Sequence, residues 1–426
     1  MMPRSLDDWL IHAERVHPVG IDMGLDRVRE VAERLGVLPP APRNVVIAGT
    51  NGKGSTSVYL EALLCARGYT VGTTVSPHLS RFNERIRIDG AAVGDPVICD
   101  AFATIEAVRR DITLTYFEFG ILAALLVFRR AAVDVTVLEV GLGGRLDAVN
   151  LVDASVAVIT SIGIDHIEYL GPDRESIGAE KAGIMRRNVP CVFGEASVPA
   201  SVIAKAAALN VPLLKYDEHY GARSMADGWQ FDGLRNSNPI TAKALTRPRV
   251  ALCNAATALQ ALLLLEPDSP VHDVVAGAAD ARLQGRFERF DYCNVPVIVD
   301  VAHNPHGAAF LAAQLAADQC EGRTIAIAGF LQDKDTAGIV AALEPVVAEW
   351  IFVGTRGPRG QEPDVSAQKA PTVSATIGVD LRDALDAAVA RHRPSGRILV
   401  LGCFDVVSRA RVLLSASMDP GVTSGC

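Results

Sequence analysis

The run Val45-Val46-Ile47-Ala48-Gly49-Thr50-Asn51-Gly52-Lys53-Gly54-Ser55-Thr56 puts a lysine and several hydroxyls into a glycine-rich turn behind a β-branched segment. Glycines let backbone N–H groups close on an anion, and a helix beginning behind the turn adds its partial positive charge. Such a turn suits the phosphates of a nucleotide, with Lys53 against the β- and γ-phosphates. The spacing departs from the common P-loop pattern, because Ile47 stands where the first glycine belongs and Gly54 separates the lysine from the hydroxyl. A plain glycine turn accounts for Gly49 and Gly52 but gives no reason for Lys53 beside Ser55.

A bound triphosphate becomes reactive when Mg²⁺ bridges its phosphates, and Mg²⁺ takes hard oxygen ligands. Glu139 supplies a carboxylate, and Ser55 and Ser76 supply hydroxyls. Glu139 reads equally well as a turn cap, and His166 alone reads more readily as an ordinary histidine than as a ligand. Glu180-Lys181 reads first as a solvated pair at a helix start. Asp300-Val301-Ala302-His303-Asn304-Pro305 reads as a helix-starting turn, or as a carboxylate and an imidazole able to hold an amine and its proton.

These residues need elements to bring them together. Strands are expected at 45–48, 71–75, 133–140 and 155–161, with helices at 57–67, 96–110 and 117–130 between them. Residues 81–88 alternate as an edge strand would. Strands alternating with helices predict a parallel sheet with ligands at the strands' C-terminal ends. Thr50–Ser55, Ser76, Glu139 and Asp165–His166 all fall just past such ends. The pattern is weak over 195–249, where only irregular strands and turns are expected. Helix 250–265 is apolar, with Asn254 as its interior amide. A break at 283–288 places a boundary between domains 1–285 and 286–426. The second domain repeats the alternation, with strands near 295–301, 323–329, 349–353 and 397–402. The expected fold is α/β: a P-loop-containing, mostly parallel N-terminal domain and a smaller Rossmann-like, doubly wound C-terminal domain.

With 426 residues the chain exceeds one ordinary core. Its 49% hydrophobic and 21% charged content is that of a globular protein. A net charge of −8 argues against a nucleic-acid partner while leaving anionic small molecules open. Eight cysteines without a C-x-x-C pair suggest neither a disulfide frame nor a zinc ribbon. Residues 1–8 show no apolar signal region, and the apolar run 121–128 is too short to span a bilayer. A cytoplasmic monomer with no membrane partner is expected.

The glycine turn, Ser76-Pro77-His78-Leu79, Leu114-Thr115-Tyr116-Phe117-Glu118, the stretch 139–147, Asp165-His166, Glu180-Lys181-Ala182-Gly183-Ile184 and 300–305 occur in one order. From about Leu6 to Val407 the set resembles the dihydrofolate synthase/folylpolyglutamate synthase family of the Mur-ligase-like group. The resemblance implies an ATP-dependent ligase joining L-glutamate to dihydropteroate and to reduced folates through an acyl phosphate. It implies that the turn, Gly49 to Thr56, binds ATP. It further implies that Ser76, Glu139 and His166 hold one Mg²⁺, and that Lys181 is carbamylated to hold a second. Asn254 matches an adenine-side contact and Arg286 a phosphate contact. Asp300 and His303 match residues near the nucleotide and the incoming glutamate. Phe117 falls in the segment lining the pterin pocket, and Arg81 is expected on the substrate side with it. Gly402-Cys403-Phe404-Asp405 departs from the pattern of close relatives, and neither Cys403 nor Asp405 is given a role.

Other readings fare worse. A GTPase switch lacks the Asn-Lys of its guanine signature. A dehydrogenase is suggested by Gly141-Leu142-Gly143-Gly144-Arg145-Leu146, but Leu146 occupies the third glycine position. A non-catalytic ATP-binding module leaves Glu139, His166 and Lys181 unexplained. A folylpolyglutamate synthase alone, or a Mur-type ligase with another carboxylate acceptor, is the nearest alternative.

Overall fold

The computed structural model describes residues 5–318, 320, 322–391 and 395–417. Residues 1–4, half of the stretch read for a signal region, lie outside them. The chain forms two compact units, Met1–Leu283 and Gln284–Cys426.

In the first unit eight strands form one sheet. They are β1 (Arg43–Ala48), β2 (Val71–Thr74), β3 (Ile86–Ile88), β4 (Ala91–Ala92), β5 (Val135–Glu139), β6 (Val156–Ile159), β7 (Cys191–Phe193) and β8 (Leu213–Lys215), in the spatial order 4-3-2-5-1-6-7-8. The pairs from β2 through β8 are parallel, and β3 and β4 add an antiparallel edge. Side chains alternate across a strand, so a sheet covered on both faces needs apolar residues at every position. Val45 and Ile47 of β1 face one core with Val135, Val137, Val156 and Val158, while Val46 and Ala48 face the other with Leu138, Ala157 and Ile159. Register aligns the C-terminal ends: Ile47 lies beside Glu139, Ala48 beside Ile159, and Thr74 beside Leu138. The loops that follow β1, β2, β5 and β6 therefore leave from one edge.

Three local differences from the sequence reading have physical causes. The helix after the glycine turn begins at Lys53 rather than at 57, because Gly52 adopts φ 84° as its N-cap and Thr56 N–H closes the first turn on the Gly52 carbonyl at 2.9 Å. The expected strand 81–88 is a 3₁₀ turn, Phe82–Arg85, followed by β3. Glu84 draws the chain into that turn by accepting from the N–H groups of Leu79, Ser80 and Arg81 at 2.7–2.9 Å. The region 195–249 is regular after all. Helix Ala200–Ala208 precedes β8, and β9 (Gly221–Met225), β10 (Gly228–Arg235) and β11 (Asn238–Leu245) form an antiparallel meander. A register shift between Trp229 and Phe231 breaks the two-residue period that would have revealed it.

The second unit holds β12 (Glu288–Tyr292), β13 (Val295–Asp300), β14 (Thr324–Gly329), β15 (Glu349–Phe352), β16 (Ala375–Ile377) and β17 (Arg397–Gly402), in the order 12-13-17-14-15-16. Only β12 runs antiparallel to its neighbour. Asp300 and Leu401 are register partners at the C-terminal ends of β13 and β17. Among the described residues no helix is long and apolar enough to cross a membrane.

The meander is anchored by Trp229, fully buried with its indole N–H donating to the Thr246 carbonyl at 2.9 Å. Trp229→Ala should destabilise the first unit by about 3–5 kcal/mol, measured by urea unfolding. A loss under about 1 kcal/mol would mean that the meander packs independently of this ring.

Candidate active site

The glycine turn is held by the loop after β6. Thr50 N–H donates to the Ser161 carbonyl at 2.8 Å, and Asn51 N–H to Ser161 Oγ at 2.9 Å. Thr160 Oγ1 donates to the Asn51 carbonyl at 2.6 Å, and Thr50 Oγ1 to the Gly163 carbonyl at 3.0 Å. Two glycines are required by this packing. A Cβ at Gly49, whose φ is 154°, would fall on Thr160 Oγ1, and one at Gly52 would come within 2.6 Å of Asn254 Oδ1. Asn254 thus lies directly against the turn.

Two lysines converge on one acceptor. Lys53 Nζ donates to the Gly49 carbonyl at 3.1 Å, and Lys181 Nζ donates to the same oxygen at 3.0 Å. Lys181 reaches it because Gly144 lets the loop after β5 lie flat on the 180–181 backbone, where a Cβ would stand 2.8 Å from the Glu180 carbonyl. The Arg145 N–H donates to that carbonyl at 2.9 Å, and the Arg145 guanidinium pairs with the Glu180 carboxylate at 2.8 Å. Burial, reinforced by the charge of Lys53, pushes the Lys181 amine down to about 7, against smaller opposing effects of Asp165 and Asp147. Burial pushes Asp147 the other way, up to about 6, although it accepts from the N–H groups of Leu142 and Val149.

Glu139 is buried at the end of β5 and accepts from the Ser76 N–H at 2.8 Å. A Cβ on Gly54 would meet Leu283 Cδ2 at 2.7 Å and stand 3.4 Å from Glu139 Oε2, so the glycine lets the head of the helix lie close to the carboxylate. Among the described residues no three His, Cys, Asp or Glu side chains form a metal-binding cluster. A hard carboxylate beside a serine, with the remaining positions left to phosphate oxygens and water, nonetheless suits Mg²⁺. His166 is exposed, with φ 53°, at the N-terminus of the one-turn helix Ile167–Leu170.

Ser76, Glu139 and Phe117 line one small pocket, together with Thr74, Val75, Arg85, Gly120, Ile121 and Ala124. Phe117 leans over the loop after β5, where a Cβ on Gly141 would meet its ring at 2.5 Å. Arg81 is not among the lining residues; it is exposed and pairs with Asp95 at 2.9 Å. Sequence reasoning missed Arg85. In the second unit Phe287 N–H donates to the Asp300 carboxylate at 2.7 Å, and Arg286 donates to the Val301 carbonyl at 2.8 Å. The Arg286 guanidinium lies 5.4 Å from the Phe404 ring centre, and the His303 ring 6.1 Å from it, so Phe404 joins the predicted residues of this unit.

Known proteins account for this arrangement. The Mur ligase middle domain matches residues 47–237, and the Mur ligase glutamate ligase domain matches residues 285–404. Fold and modules define a Mur-type ligase. The Escherichia coli (strain K12) dihydrofolate synthase/folylpolyglutamate synthase is 42% identical over 416 residues, 98% of this chain and 97% of its own. The structure of E. coli FolC in complex with DHPP and ADP superposes with a TM-score of 0.92 at 42% identity, covering 98% of this chain and 99% of that one. A bifunctional folylpolyglutamate synthase/dihydrofolate synthase with Mn, AMPPNP and L-glutamate bound gives 0.89 at 42% identity, covering 97% and 100%. The chain belongs to the dihydrofolate synthase/folylpolyglutamate synthase family.

The lowered pKa of Lys181 makes stability depend on pH. Unfolded, the lysine titrates near its ordinary 10.5, and folded near 7. Between those values the unfolded chain holds the extra proton, so this group's contribution to stability rises with pH across the window. Lys181→Met, of similar length and uncharged, should stabilise the fold most below pH 7 and progressively less toward pH 10.5. Urea unfolding in CO₂-free buffer at the two ends of the window measures this, and an equal effect at both ends would contradict it.

Proposed function

We propose that the chain is an ATP-dependent, amide-forming ligase that joins L-glutamate to dihydropteroate, giving dihydrofolate, and to folylmonoglutamates and polyglutamates. The observation carrying this reading is the meeting of Lys53 and Lys181 at Gly49, beside Glu139 and the Phe117 cavity, on the C-terminal edge of one parallel sheet. The ligands bound to its relatives, ADP with DHPP in one and Mn, AMPPNP and L-glutamate in the other, support the same reaction.

The acceptor's carboxylate attacks the γ-phosphoryl of ATP, forming an acyl phosphate and ADP. The amine of glutamate then attacks the acyl carbon, the bond to phosphate breaks, and the amine loses a proton, leaving the amide and inorganic phosphate. In this reading the turn from Gly49 to Thr56 cradles the phosphates. The amides of Lys53, Gly54 and Ser55 head a helix and have no intrahelical acceptor, which suits them to phosphate oxygens. Lys53 turns its ammonium from the Gly49 carbonyl to the transferring phosphoryl group. Asn254 sits on the adenine side. Ser76, Glu139 and His166 would hold one divalent cation, and a carbamylated Lys181 a second. Bound there, such ions neutralise charge spreading over the phosphoryl oxygens. In the second unit Arg286 and Asp300 serve the nucleotide and His303 the glutamate, with Phe404 packed against Arg286 and His303. Phe117 faces the pterin-bearing acceptor. Arg81, paired with Asp95, is the substrate-side assignment with least support. The domain roles follow: residues 1–285 bind ATP and the pterin, and 286–426 serve glutamate ligation. We take the enzyme to be a cytoplasmic monomer, and its net charge of −8 is in keeping with small anionic substrates rather than nucleic acid.

Purified protein given ATP, Mg²⁺ and L-glutamate should add one glutamate to dihydropteroate, and at least one to a reduced monoglutamyl folate, by product mass. Lys53→Ala should cut both rates at least about 100-fold while leaving the fold intact. Extension of the folate alone would reduce the function to folylpolyglutamate synthase, and extension of neither would remove the acceptor assignment.

A further inference from the structure

Arg85 has surroundings that its sequence position does not explain. It ends the 3₁₀ turn Phe82–Arg85, with its guanidinium 5.6 Å from the Phe82 ring centre and 5.5 Å from that of Tyr116. Its Nε donates to His78 Nδ1 at 2.8 Å. That bond requires a neutral imidazole with its proton on Nε2. Among the described residues the guanidinium makes no ion pair, and its two terminal nitrogens make no hydrogen bond. The nearby Glu84 spends both carboxylate oxygens on the loop amides of Leu79, Ser80 and Arg81.

A half-buried cation left in this way costs desolvation energy unless an anion compensates it. Its position indicates which anion. The cavity it lines is apolar on one side, with Phe117 and Ile121, and polar on the other, with Ser76, Arg85 and Glu139. An aromatic carboxylate matches both sides at once. Glu139 by itself would repel such a ligand, and the charge of Arg85 offsets that repulsion. A guanidinium with Nε already fixed by His78 offers its two terminal nitrogens as a preset fork for a carboxylate, a geometry that lysine cannot reproduce.

We infer that Arg85 receives the acceptor's carboxylate, the group to be phosphorylated, and that His78 positions Arg85 for it. The inference rests on the pteroate-acceptor reading and deepens it. The alternative role for Arg85 is purely internal, as counter-charge to Glu139, and it predicts no discrimination between acidic and neutral ligands.

The test is binding, without turnover, in saturating ADP and Mg²⁺. Dihydropteroate and its carboxamide, in which the benzoate carboxylate is replaced, are titrated by calorimetry into wild type, Arg85→Gln and Arg85→Lys. Wild type should prefer the acid by at least about tenfold, the scale of a charge-assisted hydrogen bond. Arg85→Gln should bind the two ligands within about threefold of each other, and Arg85→Lys should fall between. Unchanged ADP affinity and melting temperature establish that the variants are folded; if Arg85→Gln fails to fold, Arg85→Lys decides the question alone. A folded variant that keeps the full preference, Arg85→Lys included, overturns the inference while leaving the function standing. Wild type that binds neither ligand overturns the acceptor reading and the inference with it.

Discussion

The carbonyl oxygen of Gly49 accepts from two lysine side-chain nitrogens, Lys53 at 3.1 Å and Lys181 at 3.0 Å, and this edge of the sheet is organised around that crowding. The two nitrogens are no more than about 6 Å apart. With both groups charged, their repulsion at an effective dielectric of about 20 is at least about 3 kcal/mol. Lys181 is the more deeply buried of the pair, and burial first, with the charge of Lys53 added, lowers its affinity for a proton. A neutral amine is also the form that reacts with CO₂, giving an N-carboxylate and releasing a proton. One geometric fact therefore links the anion-seeking Lys53 to a lysine able to become an anion.

The scaffold serves this arrangement through small residues at close approaches. Gly49 admits Thr160, Gly52 admits Asn254, Gly54 admits Leu283, and Gly144 lets the β5 loop rest on Lys181. Parallel register supplies the rest, since Ala48, Thr74, Glu139 and Ile159 end level with one another and deliver four loops to one edge. The pocket beside Glu139 adds an aromatic wall, Phe117, and a cation, Arg85, to the same edge.

Much of this was legible in the chain itself. Strands buried on both faces announce themselves as β-branched runs, which is why β1, β5 and β6 and the residues just past them could be read directly. Lys181 could not be interpreted from spacing, because a Glu-Lys pair at a helix start looks solvated; only the ordered set of motifs raised it. The meander was hidden by its register shift and by its largely polar outer positions, such as Arg223, Ser224, Lys243 and Thr241. Arg85 was hidden for a related reason. In an alternating stretch an arginine reads as the solvent face, and nothing local reveals that Glu84 winds the chain into a turn that aims Arg85 at a cavity.

Burial of Lys181, with the charge of Lys53 beside it at Gly49, favours the neutral amine that CO₂ can attack. The most direct test is ¹³C NMR of the protein equilibrated with ¹³C-bicarbonate at about pH 8, above the lowered pKa of this lysine. One slowly exchanging carbamate carbon, absent from Lys181→Met, is expected. No such resonance, or one that survives the substitution, would contradict it.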